Sequence, residues 1–295
     1  MQSSMIMPFR ANYFIRQYRI VNVIKTNEFR RVSVAIYLAG LWFKKCIIKQ
    51  SIKMSDRLVR QFMLLQDFQA HLPVPEPLEL FEEEKETYII MKFIEGSSLQ
   101  DQMDVIYKGQ DFASLPNARK QRLIGYYLQI LQCIKKLHDM GYAHRDIAPG
   151  NFLVDRKDNI YLIDLELTSP IGNSKDRHYF PGWTKGYSSP EQIANRKPCI
   201  QHDIYSTGAL MFMAFTHRHP VELKKFNAVS LRNKLMAHKL PGYVADMMIC
   251  CLHQNPKRRP ILYDVIQCME KFSDDIGGEI TQRSSPRHTG QKDIY

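Results

Sequence analysis

The residues best suited to chemistry cluster in the stretch 143–166, AHRDIAPGNFLVDRKDNIYLIDLE. Asp146 and Asn151 stand five apart in a segment broken by Pro and Gly, and Asp164 follows the apolar run IYLI. Upstream, Lys49 closes a second apolar run, CIIK. Phosphoryl transfer needs little covalent help but strict positioning. It requires a carboxylate to take or orient a hydroxyl proton, hard oxygens to hold Mg2+ against nucleotide phosphates, and a cation on those phosphates. Asp146, Asn151, Asp164 and Lys49 can supply these groups. Singly, a loop Asp reads as a turn residue and a strand-ending Lys as a solvated one. Their meaning depends on the elements that carry them.

Residues 18–49 alternate and are rich in Val and Ile (YRIVNVIK, VSVAIY, FKKCIIK), the period of antiparallel strands. Ser55 is placed to cap a helix, with Leu58, Phe62 and Leu65 on one face and Val59 and Met63 beside them. The string LPVPEP ends that helix, and YIIMKFI over 88–94 reads as another strand, broken at Glu95–Gly96. Beyond it the period changes. Ile124, Tyr127, Leu128, Leu131 and Ile134 mark a helix that ends near Gly141, followed by short strands at FLVD and IYLID. Residues 165–185 form a long irregular stretch, and loops of that length inside a domain are usually functional. Residues 204–215, IYSTGALMFMAF, are apolar on nearly every face and predict a helix buried in the middle of its lobe. No internal repeat is evident.

In that order, the motifs resemble the protein kinase family over about residues 18–271. HRDIAPGN fits the catalytic loop H-R-D-x-x-x-x-N at each fixed position, and IDLE stands where D-F-G belongs. TKGYSSPE is similar to the end of an activation segment, with Thr184 facing the catalytic Asp and Ser189–Pro190–Glu191 in place of A-P-E. HDIYSTG resembles the start of the buried helix, with Asp203 and Gly208, and NPKRRP places Arg259 to pair with Glu191 in a structural ion pair. The resemblance implies an α+β, bilobal protein-kinase-like fold, a small antiparallel sheet lobe plus a larger, mostly helical lobe. ATP and Mg2+ would lie between them. By that resemblance Asp146 is the catalytic base, Asn151 and Asp164 ligate Mg2+, and Lys49 reaches the α- and β-phosphates. Met91 would be the gatekeeper, the backbone of Lys92 and Ile94 would bond adenine, and Val32 and Ile47 would pack on its faces.

The pattern also departs from the family. Aligned on Phe29 and Val32, the phosphate-covering G-x-G-x-x-G-x-V becomes Lys25, Asn27, Arg30 and Val32, with no glycine. Backbone N–H groups then approach phosphate less closely, and the side chains of Lys25, Arg30 or Arg31 are candidates to replace them. Gln61 falls near the helix position where the family carries a glutamate for the strand Lys. Glu166 replaces the D-F-G glycine, and two roles are open to it: pairing with Lys49 or holding a second metal. Ala148 stands where Ser/Thr kinases commonly carry Lys, and Ile47 is bulkier than the usual Ala. Tyr179, Thr184 and Ser174 could take phosphate and recruit Arg145. The function expected is ATP- and Mg2+-dependent transfer to a hydroxyl, Ser or Thr, of a protein or peptide. The alternatives are a pseudokinase scaffold, or a small-molecule phosphotransferase of the aminoglycoside and choline kinase type, which lacks the GYSSPE and NPKRRP elements. IIKQ and IDLE are also similar to kinase-like domains of lanthipeptide synthetases.

Composition sets outer bounds. The 295 residues suffice for one large domain or two lobes, and 44% hydrophobic with 24% charged residues excludes wholesale disorder. No apolar run approaches the ~20 residues of a membrane span, and MQSSMIMPFR is a poor secretory signal. A cytoplasmic protein without membrane partners is therefore expected. The net charge of +11 favours phosphate-bearing or acidic partners, yet no basic block interleaves with aromatics, which disfavours nucleic acid. The six cysteines show no C-x-x-C spacing and read as buried, reduced thiols. The expected organisation is an N-terminal extension over 1–17, an N-lobe over 18–93, a C-lobe over 94–271 and a flexible tail over 272–295.

Overall fold

The computed structural model describes residues 13–51, 53, 55–172 and 179–284, with side chains to residue 278. The chain is α+β and divides into two units, one of residues up to 96 plus 161–166, the other of 97–160 and the residues from 167 onward.

The first unit is built on a six-stranded antiparallel sheet. Its strands are β1 (Phe14–Ile15), β2 (Tyr18–Thr26), β3 (Arg30–Ala39), β4 (Trp42–Ser51), β5 (Pro77–Glu83) and β6 (Glu86–Lys92), in the order β1-β2-β3-β4-β6-β5. Period-two patterning places Tyr18, Ile20, Ala35, Cys46, Ile48, Tyr88 and Ile90 together in a buried cluster. Helix α1 (Asp56–Phe68) starts where the sequence predicts it. Ser55 Oγ accepts the Leu58 N–H, and the Ser55 N–H donates to Thr87 Oγ1 at 2.9 Å, tying the helix start to β6. Leu58, Phe62 and Leu65 are buried, whereas Met63 is exposed.

Strand β5 is an addition to the sequence reading. It opens on Pro77, tolerated at a sheet edge, and turns into β6 through Glu84 and Lys85, both with positive φ (51° and 67°). Glu-Lys is not a residue pair that advertises such a turn, so the hairpin carried no recognisable signal.

The second unit is mainly helical: α2 (Leu99–Tyr107), α3 (Asn117–Asp139), α4 (Pro190–Ile193), α5 (Ile200–Thr216), α6 (Ala228–Ala237), α7 (Gly242–Cys251) and α8 (Leu262–Ser284). Buried residues run along nearly the whole of α5, as its uniform apolarity predicts. The Tyr107 and Tyr127 hydroxyls donate to the Ala214 and Thr207 carbonyls at 2.6 and 2.8 Å, which satisfies their polar ends inside the core. Gly208 lets α5 and α7 approach closely, since a Cβ there would lie 2.7 Å from Cys251 Cβ.

Four expectations change. Strand β1 pairs with β2, so the sheet begins before residue 18. Residues 161–166, which carry Asp164 and Glu166, belong to the sheet unit rather than the helical one. Helix α8 continues to Ser284, so the segment from 272 is not a tail to that point; residues 285–295 lie outside the described residues. Only Cys46, Cys133 and Cys251 are buried, while Cys199 and Cys268 are half-buried and Cys250 is exposed. All six are free thiols, and burial pushes those of Cys46 and Cys133 up to about 12. No described helix is long and apolar enough to cross a membrane.

The helical core has an identifiable centre. Phe215 meets Phe112 and Phe272 edge-on, at 5.3 and 5.6 Å between ring centroids. Phe215→Ala should cost about 3–5 kcal/mol of unfolding free energy, measured by urea denaturation. A loss below about 1 kcal/mol would mean that this cluster is not the core of the unit.

Candidate active site

The sequence-predicted site residues fall into two groups, one in each unit. In the helical unit the loop 144–151 is fixed from beneath by Asp203. Its fully buried carboxylate accepts the N–H groups of His144 and Arg145, both at 2.7 Å, and contacts His138 Nε2 at 2.8 Å. Burial alone would push this carboxyl upward. The His138 hydrogen bond, the nearby histidines and the backbone donors outweigh it and hold the group below the usual carboxylate range. The anchored backbone carries Arg145 in the left-handed region, φ 67°, which costs a non-glycine residue about 1–3 kcal/mol. The next residue is Asp146, whose N–H donates to His144 Nδ1.

Asp146 then presents both carboxylate oxygens. Asn151 Nδ2 donates to Oδ2 at 2.8 Å and to the Asp146 carbonyl at the same distance. Thr184 Oγ1 donates to Oδ1 at 2.6 Å. Thr184 is itself held by a 2.9 Å bond from its N–H to Ser188 Oγ and by a turn through Gly186, φ 89°. A Cβ at 186 would lie 2.8 Å from the Val221 nitrogen, so only glycine fits. Gln192 Nε2 bonds the carbonyls of Arg145 and Gly182, linking the loop to the segment that delivers Thr184. Sequence reasoning missed Gln192, which occupies no motif position.

Arg259 pairs with Glu191 through two hydrogen bonds of 2.5 and 2.9 Å, the ion pair that the sequence suggested. Arg145 differs from expectation. It is buried, its Nη1 donates to Leu167 O, Ser169 Oγ and Phe180 O, and its guanidinium lies over the Tyr179 ring. The Thr184 hydroxyl is on Asp146 and the Tyr179 hydroxyl on Asn195 O, so neither hydroxyl is bonded to Arg145. Ser174 lies outside the described residues.

The sheet unit holds the second group. Lys49, on β4, has its Nζ 3.3 Å from Asp164 Oδ2, 3.8 Å from Glu166 Oε1 and 3.3 Å from Gln61 Oε1. Burial pushes its ammonium below the ordinary lysine value against the pull of Asp164. Arg30 forms an ion pair with Glu166. Lys25, Asn27, Arg30, Val32, Lys49 and Asp164 are among the residues lining one pocket. Met91 is buried beside Ile47 in the β4–β6 register, Val32 and Ile47 are half-buried, and the Lys92 N–H donates to Glu76 O. Ile94 follows β6 in irregular backbone.

The β2–β3 connection explains the lost glycines. Asn27 Oδ1 accepts the N–H groups of Phe29 and Arg30 at 2.9 and 2.8 Å, closing a tight turn. Backbone donors that a glycine-rich loop would offer to phosphate are here used internally. Glu166 has its carboxylate on Arg30 and 3.8 Å from Lys49 Nζ, the arrangement of the first of the two roles open to it.

A model of the protein kinase domain matches residues 38–269. The chain belongs to the protein kinase family. It is 24% identical over 259 residues to serine/threonine-protein kinase polo of Drosophila melanogaster, covering 86% of this chain and 41% of that one. It is 27% identical over 205 residues to a hormonally up-regulated neu tumor-associated kinase homolog of Xenopus laevis, covering 66% and 31%. The chain thus spans less than half the length of these kinases.

The Glu191–Arg259 pair gives this kinase domain an acid-side liability. Burial raises the Glu191 carboxyl, but hydrogen bonding and charge from Arg259 more than offset it, so the net shift is downward. A depressed folded value means that the stabilisation is present above the unfolded carboxylate range, near pH 4–5, and is lost as pH falls through the folded value. Glu191→Gln should cost about 3–5 kcal/mol at pH 7 and progressively less towards pH 3, read by denaturant titration at each pH. A pH-independent difference would contradict this.

Proposed function

We propose that the chain transfers the γ-phosphate of ATP, with Mg2+, to the hydroxyl of Ser or Thr in a protein or peptide. One observation carries the reading: Asp146 holds a hydroxyl at 2.6 Å on one carboxylate oxygen while Asn151 fixes the other. A carboxylate in that state is ready to orient an incoming alcohol and accept its proton. The group held there is the hydroxyl of Thr184, an alcohol of the kind a Ser or Thr acceptor would present.

The remaining roles follow the residue chemistry. Lys49 binds the α- and β-phosphates as a point charge, with Arg30 and Lys25 lining the same pocket. Asp164 and Asn151 offer the hard oxygen donors that Mg2+ prefers, and the Asp164 side chain is about a quarter exposed (28%). Bound Mg2+ would neutralise charge on the transferring phosphoryl group. Val32, Ile47 and Met91 provide apolar surface for adenine, with the backbone of Lys92 and Ile94 for its polar edge. A peptide acceptor is favoured over a small molecule by the ordered 183–193 segment, clamped by Glu191–Arg259 and exposing Trp183 and Ile193.

Purified protein incubated with Mg2+ and radiolabelled ATP should label a Ser/Thr peptide mixture, and Asp146→Asn should lower the rate at least about 100-fold. Labelling of an aminoglycoside or choline instead would reassign the acceptor. Equal labelling by Asp146→Asn, or none by the wild type, would overturn the proposal.

A further inference from the structure

The acidic partner of Lys49 is not where this family normally keeps it. Helix α1 contains no glutamate, and the side chain nearest Lys49 from that helix is the neutral amide of Gln61. Gln61 is fully buried, and its Nε2 has no hydrogen-bond partner among the described residues. An amide that uses only its oxygen is a poor substitute for a carboxylate, so the charge must come from elsewhere. Two carboxylates outside α1 supply it, Asp164 at 3.3 Å and Glu166 at 3.8 Å from Lys49 Nζ, and the Glu166 side chain, 10% exposed, also meets Arg30.

We propose that Glu166 is the positioning carboxylate of the phosphate site, orienting Lys49 in place of a helix glutamate and tying the β2–β3 hairpin to the Asp164 segment through Arg30. The inference rests on the proposed function in one respect. If Asp164 serves Mg2+, Glu166 is the carboxylate left to Lys49. Charge balance supports the assignment. Lys49 and Arg30 face Asp164 and Glu166, so each of these two cations has a carboxylate without one from α1. A glutamate at 61 as well would add a further negative charge where nucleotide phosphates must enter. Glycine at 166, with the other residues unchanged, would leave two half-buried cations sharing Asp164 alone. The neutral 61, the acidic 166 and the basic 30 form one compensated set, and the tight Asn27 turn holds Arg30 at its place in that set.

The test is an exchange of the carboxylate between the two positions. Glu166→Gln should lower kcat at least about tenfold through loss of Lys49 orientation. It should also tighten Mg2+–ATP binding by about threefold or more, because two cations lose a competing anion. Adding Gln61→Glu to that variant should restore most of kcat and return the affinity to the wild-type value. Affinity is measured by calorimetry and needs no turnover. A wild type that transfers no phosphate would therefore defeat the proposed function while the affinity arm still decides this inference. Weaker nucleotide binding in Glu166→Gln, or a double variant no better than the single one, would assign Glu166 a merely structural part and overturn the proposal.

Discussion

A single buried carboxylate sets the geometry of the helical unit. Asp203 has no exposed surface, yet it accepts two backbone N–H groups and contacts a histidine, so its charge is compensated on every side. An ionised group can stay in such a place only while those donors remain in position. The cost of displacing any donor is what holds Arg145 in a strained conformation, and the strain turns the next residue, Asp146, towards Asn151 and Thr184. The uniform apolarity of α5 belongs to the same logic. A helix that presents a buried anion to a loop must be immobile, and α5 is packed on nearly all sides.

Under the proposed function the sheet unit meets a different problem, the handling of phosphate without glycines. Its hairpin is closed by Asn27 and so commits the backbone donors of Phe29 and Arg30. What remains for an anion is side-chain charge, and the unit gathers Lys25, Arg30 and Lys49 around one pocket. Side-chain cations carry more charge than backbone amides but need anionic partners to be held in place. Asp164 and Glu166 meet that need from a segment far away in sequence. The substitutions that look like separate losses, at the glycines, at Gln61 and at Glu166, become one coordinated change when their charges are counted together.

Much of this was legible in the residues. The strands β2, β3, β4 and β6, the cap at Ser55 and the burial of α5 follow from periodicity and capping chemistry, and the 184–191 and 259 motifs foretold both Thr184 on Asp146 and the Glu191–Arg259 pair. Other features were hidden for stated reasons. Strand β5 begins with proline and turns at Glu84–Lys85, so neither its alternation nor its turn was recognisable. The end of α8 was missed because polar and glycine-containing sequence was read as tail, although its helix persists to Ser284. Arg145 was expected to await phosphate, but three neighbouring oxygens already take its Nη1. The Arg30–Glu166 ion pair depended on where Arg30 lies, which spacing alone does not reveal.

The most direct test of this account measures what Asp203 holds in place. Asp203→Asn keeps the volume but puts an amide donor against backbone donors, so one of the bonds to His144 and Arg145 must fail. Phosphate transfer and Mg2+–ATP affinity would be measured side by side on folded protein. The account predicts a fall in kcat of at least about 100-fold with affinity unchanged within about twofold, because orientation of Asp146 is lost while the Lys49 cluster is untouched. Unaltered transfer, or a parallel loss of both quantities, would contradict it.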